Sequence, residues 1–240
     1  MIHYVRLPLE GTTNTRDLGG YSTKDGHSTK WQVFLRSDEL VLLSDQDKKF
    51  LEDYGLKTII DLRSETELSS RPNPYLNHDQ IHYHNVSLFE KADPKSLATL
   101  TLDSLGGMYV DMLINHKNQI KTVMEIIAEA SEGSILFHCA AGKDRTGVIA
   151  MLLLGLAKVR NRDIVSNYEV SHTNLKRNAY FKENKDTLSH LMGSTNTNME
   201  DTLRYLYEHY PSIEAYLLDI GCTQEMLDKI KARFILKAQI

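Results

Sequence analysis

The chain has 240 residues, 41% of them hydrophobic and 25% charged, which is enough apolar material to bury a core without disulfide or metal staples. A net charge of −4 argues against general nucleic-acid affinity, so no nucleic-acid partner is expected. The two cysteines, Cys139 and Cys222, do not read as a disulfide framework, and no Cys-x-x-Cys or His-Glu-x-x-His spacing offers a zinc site.

The opening residues MIHYVRLPLEG carry no apolar core of a signal peptide. Asn14 to Gly20 reads as a loop with paired glycines, and Phe34-Leu-Arg-Ser37 as a short strand. A helix is predicted from Ser44 to Tyr54, with Ser44 as its cap, Asp47 three residues on and Gly55 as its stop. Lys57 to Leu62 is a strand, followed by a charged loop from Arg63 to Glu67 and a break at Pro72 and Pro74. Ile81 to Leu88 alternates as another strand. Leu105 to Ala130 contains a helix with Ile120, Val123, Met124 and Ile127 on one face. Ser134 to His138 is a buried strand, and Val148 to Ala157 is apolar all round, as in a helix inside the protein. That run, the longest apolar one, is too short to span a bilayer. With the reduced cysteines it points to a cytoplasmic setting, and is silent on unconventional export.

Strand and helix alternate up to about residue 160, which predicts an α/β fold with a mostly parallel central sheet flanked by helices. Residues 161–240 read as a helical C-terminal half of one domain spanning 1–240. Within it, Gly193 to Asn198 is a polar joint, Pro211 opens a helix, Gly221 closes it, and Thr223 caps the last one. Ile164 to His190, with Tyr168, Tyr180 and Phe181 among charges, reads either as an amphipathic layer on the sheet or as a lid. The layer is the simpler reading.

Chemistry concentrates in Ser134-Ile-Leu-Phe-His-Cys-Ala-Ala-Gly-Lys-Asp-Arg-Thr-Gly147. A strand ending at His138 and a helix starting near Thr146 leave a loop whose amides converge on an anion at the helix N-terminus. Gly142 and Gly147 allow the close approach, and Arg145 adds a fork for two phosphate oxygens. The amides of Ala140, Ala141, Gly142, Lys143, Asp144, Arg145 and Thr146 are thus candidate phosphate-binding groups, with Cys139 beneath the phosphorus. The field that binds the anion also favours a thiolate, because helix N-termini and cationic neighbours lower thiol pKa values to roughly 3.5–7.5. Thr146 is placed to donate its hydroxyl to the sulfur. His138 is read as holding the loop backbone.

Cys139-x5-Arg145-Thr146 resembles the signature of the cysteine-dependent protein tyrosine phosphatase superfamily. The fuller string from His138 to Gly147 is similar to its bacterial and fungal tyrosine/serine phosphatase branch, which carries a Lys-Asp pair in the loop. Asn14-Thr-Arg-Asp-Leu-Gly-Gly-Tyr21, Leu35-Arg-Ser-Asp38, Asp61-Leu-Arg-Ser-Glu65 and Ser212-Ile-Glu-Ala-Tyr-Leu-Leu217 resemble that branch too. The resemblance implies phosphomonoester hydrolysis through a phosphocysteine, with no metal or other cofactor. The implied substrates are phosphotyrosine proteins, phosphoserine/threonine proteins or phosphoinositides, and Lys143 would favour dianions. By resemblance alone, Arg16 and Asp17 line the mouth of the site. The oligomeric state is not readable.

A nucleotide-binding loop does not fit, because Phe137 stands where its first glycine belongs and Asp144 where its magnesium hydroxyl belongs. Two rivals remain: a phosphate-binding module without turnover, and a sulfur-transfer enzyme. The general acid has three candidates. Asp144 lies in the loop, as a substrate-orienting or proton-transfer group or as a carboxylate pairing with Lys143 or a loop amide. Asp93 fits the position of the usual mobile acid, but Asp-Pro is an ordinary turn. Asp61 ends a strand, where ligands gather in parallel sheets, and is alternatively an ion-pair partner that orients Arg145. Arg36 and Arg63 are expected to be solvated strand-end residues.

Overall fold

The computed structural model describes residues 2–88, 105–177 and 195–238. In chain order its elements are β1 (Arg16–Asp17), β2 (Ser28–Thr29), β3 (Phe34–Ser37), α1 (Asp45–Asp53), β4 (Leu56–Asp61), α2 (Glu65–Ser70) and β5 (His82–Asn85). Then follow α3 (Leu105–Asn115), α4 (Lys117–Glu129), β6 (Ser134–His138), α5 (Asp144–Leu156), α6 (Asn161–Leu175), α7 (Asn196–His209), α8 (Ile213–Asp219), α9 (Gln224–Phe234) and β7 (Ile235–Leu236).

A five-stranded sheet runs in the order β1-β3-β6-β4-β5. The β3–β6, β6–β4 and β4–β5 pairs are parallel, and the edge pair β1–β3 is antiparallel. The α/β architecture read from the alternation of elements is therefore the one present. Every residue of β6 is buried, as in a central strand covered on both faces. Ile135 and Phe137 face the larger core, built with α3 to α9, while Leu136 faces a smaller one formed with α1, Leu7, Leu9 and Tyr75. The register sets Ser37, His138 and Asp61 side by side at the C-terminal ends of β3, β6 and β4. The chain following β6 therefore emerges in the middle of that edge, where parallel sheets collect ligands.

Ser44 and Asp47 form a reciprocal capping box on α1, and Gly55 follows with φ +98°. The predicted loop from Arg63 to Glu67 is instead the start of α2, because Ser64 and Glu67 make a second capping box. The Leu105–Ala130 segment is two helices that break at His116. Arg16–Asp17 is an edge strand rather than loop, held by its pairing with Leu35 and Arg36. The C-terminal half is not purely helical: β7 returns to pair with β2, joining segments from the two ends of the chain. Of the expected polar joint, Asn196 to Asn198 form the first turn of α7. Tyr168 lies buried in α6, while Tyr180, Phe181 and Asp93 lie outside the described residues. No helix among the described residues is long and apolar enough to cross a membrane.

Candidate active site

Cys139 follows β6 directly and is a free thiol, 2% exposed. The backbone beyond it turns through Gly142, at φ +64°, into α5. A Cβ at Gly142 would stand 2.4 Å from the backbone of Ser37 and Asp38, so this turn needs both the positive φ and the missing side chain.

The carbonyls of this loop are held from outside, one after another. His138 Nδ1 lies 3.2 Å from the Cys139 carbonyl, and the Glu39 amide donates to that of Ala140 at 3.1 Å. Asn14 Nδ2 donates to Ala141 and Gly142, at 2.9 and 3.1 Å. Arg36 Nη2 donates to Gly142 at 2.8 Å and Lys143 at 3.3 Å. A peptide's amide points opposite to its carbonyl, so fixing the carbonyls outward turns the amides inward. Among the described residues, the amides of Ala140, Ala141 and Gly142 donate to no backbone carbonyl. Helix α5 has no side-chain cap, so its first-turn amides add to the same face. Such a ring suits a tetrahedral oxyanion.

The anchors are themselves anchored. Asp38, buried, accepts from the amides of Thr13 and Asn14 at 2.9 and 3.0 Å. Arg36 is 1% exposed and also donates to Asn167 Oδ1 at 2.6 Å. Burial pulls its guanidinium down to about 10, with Cys139 the largest opposing influence, so it stays charged at neutral pH and contributes positive field to the loop. Arg16, 2% exposed, donates to the Asn14 carbonyl, the Asn167 carbonyl and Ser171 Oγ. Asp17 accepts from the amides of Gly19 and Gln32 and from Tyr54 Oη, each at 2.8 Å. Neither Arg16 nor Asp17 lines an open mouth, contrary to the expectation from resemblance. They are buried because β1 is tucked between the N-terminal segment, β3 and α6. Arg36 and Arg63 are likewise not solvated: both are buried beneath the C-terminal ends of their strands.

Arg145 Nη1 and Nη2 donate to the two carboxylate oxygens of Glu67 at 2.6 and 2.8 Å. Burial pushes the Glu67 carboxyl up, but the hydrogen bonds and charge of Arg145, aided by Ser64, outweigh it and hold the group at about 2. Glu67 therefore does the orienting considered for Asp61. Its signal was in the sequence, as the Ser64-x-x-Glu67 spacing that places it on the first turn of α2. Asp61 makes no ion pair with Arg145. It accepts instead from Arg63 Nη2 at 2.7 Å, Asn73 Nδ2 at 3.2 Å and Tyr83 Oη at 3.1 Å, with His138 Nε2 at 3.3 Å. Burial would raise its pKa, but His138 and Arg63 pull it well below the usual carboxylate range. Asp61 thus sits within a closed hydrogen-bonded network at the end of β4 and does not meet Arg145.

Asp144 opens α5 beside the loop. Lys143 Nζ lies 3.4 Å from its Oδ1, and Tyr109 Oη donates to the same oxygen. Lys143 itself is 1% exposed, so its ammonium lies out of solvent beside Asp144. The Thr146 hydroxyl is buried without a hydrogen-bond partner, so the expected bond to the sulfur of Cys139 is not made. Elsewhere, a surface hollow of about 490 Å³ opens near Val33 and Gly133, at the opposite strand ends from Cys139. Its cations are engaged, Lys30 Nζ with the Ala232 carbonyl and Arg233 Nη1 with that of Ala130.

Residues 7–236 match the profile described as "Tyrosine phosphatase family". A curated "Tyrosine-protein phosphatase" of Nostoc commune is 34% identical over 218 residues, covering 84% of this chain and 74% of its own. Among solved structures, TpbA of P. aeruginosa is 14% identical with a TM-score of 0.44, over 82% of this chain and 91% of its own. A cysteine-to-serine variant of TpbA in complex with pTyr is 13% identical with a TM-score of 0.45 over the same shares.

Proposed function

We propose, from the premise that this chain belongs to the tyrosine phosphatase family and is a phosphatase, that it hydrolyses phosphomonoesters through a phosphocysteine on Cys139. In the first step the sulfur attacks phosphorus, an S–P bond forms, and the bond to the leaving oxygen breaks as that oxygen takes a proton from Asp144. In the second, water attacks phosphorus, the S–P bond breaks, and a water proton passes to Asp144. The amides from Ala140 to Thr146 and the guanidinium of Arg145 receive the remaining phosphoryl oxygens throughout.

The observation that carries this reading is the outward capture of the carbonyls from Cys139 to Lys143. A cysteine kept only for packing, or a thiol that merely ferries sulfur, has no use for a ring of inward amides beside two arginines. A phosphoryl group carrying two negative charges does. The end-on grip of Glu67 on Nη1 and Nη2 leaves the Nε side of Arg145 for the substrate. Phosphotyrosine is the substrate that the family and the Nostoc relative's name favour. The charge of Lys143 suits dianions in general, so phosphoserine, phosphothreonine and phosphoinositides belong to the proposed range.

Cys139→Ser is expected to abolish turnover of p-nitrophenyl phosphate while still binding inorganic phosphate, read by calorimetry. Residual turnover within about tenfold of wild type would refute the covalent route, since removal of an essential nucleophile costs several orders of magnitude. A substrate panel of phosphotyrosine peptide, phosphoserine peptide and phosphoinositide then orders the preferences.

A further inference from the structure

We propose that Tyr109 and Tyr168 are positioning residues that fix one oxygen of Asp144 and leave the other to handle the proton. This rests on the acid–base reading of Asp144 above and adds residues from the helical layer to it. Tyr109, in α3, is fully buried and donates to Asp144 Oδ1. Its hydroxyl also lies 2.6 Å from that of Tyr168, in α6, and Asn198 Nδ2, in α7, donates to Tyr168 Oη at 3.3 Å. Tyr109 has one hydroxyl proton, and it goes to Asp144. The proton between the two rings therefore comes from Tyr168.

The hydrogen bonds thus run in one direction, from Asn198 through Tyr168 and Tyr109 to the carboxylate. Burial, together with the charge of Asp144, raises the pKa of Tyr109 well above its usual value, so it remains a donor across the working range. An oxygen that already accepts Tyr109's proton, and faces Lys143 Nζ at 3.4 Å, is a poor place for another. A proton exchanged with the leaving oxygen or with water is therefore carried on Oδ2. The two rings meet edge to face, with centroids 5.8 Å apart. Gly106 sets the approach of the helices: a Cβ there would stand 3.1 Å from the Asn198 carbonyl, so α3 and α7 close up around it. Asp144 is consequently braced by three helices that the catalytic signature does not include.

The test is a double-mutant cycle on p-nitrophenyl phosphate turnover with Tyr109→Phe, Asp144→Asn and both together. Tyr109→Phe is expected to lower kcat roughly tenfold, a fraction of a typical acid–base contribution, with KM within about twofold because the phosphate ring is untouched. Added to Asp144→Asn, it should cost nothing further. A Tyr109→Phe loss of the same factor with and without Asp144→Asn, or one seen in KM alone, would overturn the proposal. If Asp144→Asn itself leaves kcat unchanged, the acid–base reading fails. If it lowers kcat while Tyr109→Phe does not, the relay alone fails. Should Tyr109→Phe not fold, Tyr168→Phe decides in its place, with a smaller kcat loss expected and an unchanged kcat counting against the relay.

Discussion

At Gly142 two requirements meet: a backbone in the left-handed region and contact with the Ser37–Asp38 backbone too close for any Cβ. Gly142→Ala should therefore cost about 1–3 kcal/mol of stability and, by tilting adjacent amides, most of the turnover. Denaturant unfolding and kcat measured on the same preparation check this, and wild-type values of both would show the turn to be tolerant. Gly142 and the Cys139–Arg145 frame are legible in the sequence, because their meaning lies in local spacing. Arg36 is not. An arginine at a strand end is usually solvated, and only the parallel β3–β6 pairing reveals that this one reaches under a loop more than a hundred residues away. The surroundings of Asp61 were hidden for a related reason. Its place at a strand end was readable, whereas the Arg63, Asn73 and Tyr83 donors that immobilise it come from three directions.

At the scale of elements, the strands and helices with strong punctuation stand as read: β3, α1, β4 and β6 all fall on or within a residue of their predicted limits. The start of α2 was obscured by charge. Arg63 to Glu67 looks like a solvated run, yet Ser64 and Glu67 form the same reciprocal cap that Ser44 and Asp47 give α1. Asp47 does more than cap, since it also accepts from the amides of Glu10 and Gly11, each at 2.9 Å. Asp47→Ala should therefore lose about 2 kcal/mol, more than the typical ~1 kcal/mol of a cap alone, by stranding amides in the N-terminal segment as well. A loss no larger than a cap's, measured by urea denaturation, would show that the N-terminal tie contributes nothing. Two short elements, β1 and β7, carry no signal of their own. They are strands only because Leu35–Arg36 and Ser28–Thr29 offer edges to pair with.

For the molecule as a whole, the Glu67–Arg145 pair gives a definite response to acid. The folded carboxyl titrates at about 2 against an ordinary 4.5, so its stabilisation is complete above pH 4.5 and is lost as pH falls toward 2. Asp61 shifts in the same direction, whereas burial raises Asp17, Asp38 and Glu39, which act oppositely. Glu67→Gln isolates the first contribution. The difference in unfolding free energy between wild type and Glu67→Gln should be constant above pH 4.5 and narrow below it. A difference that stays constant down to pH 2.5 would mean that the pair does not stabilise the fold.

The donors that hold the cysteine-loop carbonyls come from Asn14, Arg36 and Glu39, about a hundred residues or more ahead of the loop in the chain. During synthesis these residues leave the ribosome many seconds before their acceptors exist, at ordinary rates of about 5–20 residues per second. Local structure alone cannot assemble the cradle, because its anchors are non-local contacts made when β3 pairs with β6. A nascent or clipped chain can carry every letter of the signature and still be catalytically mute.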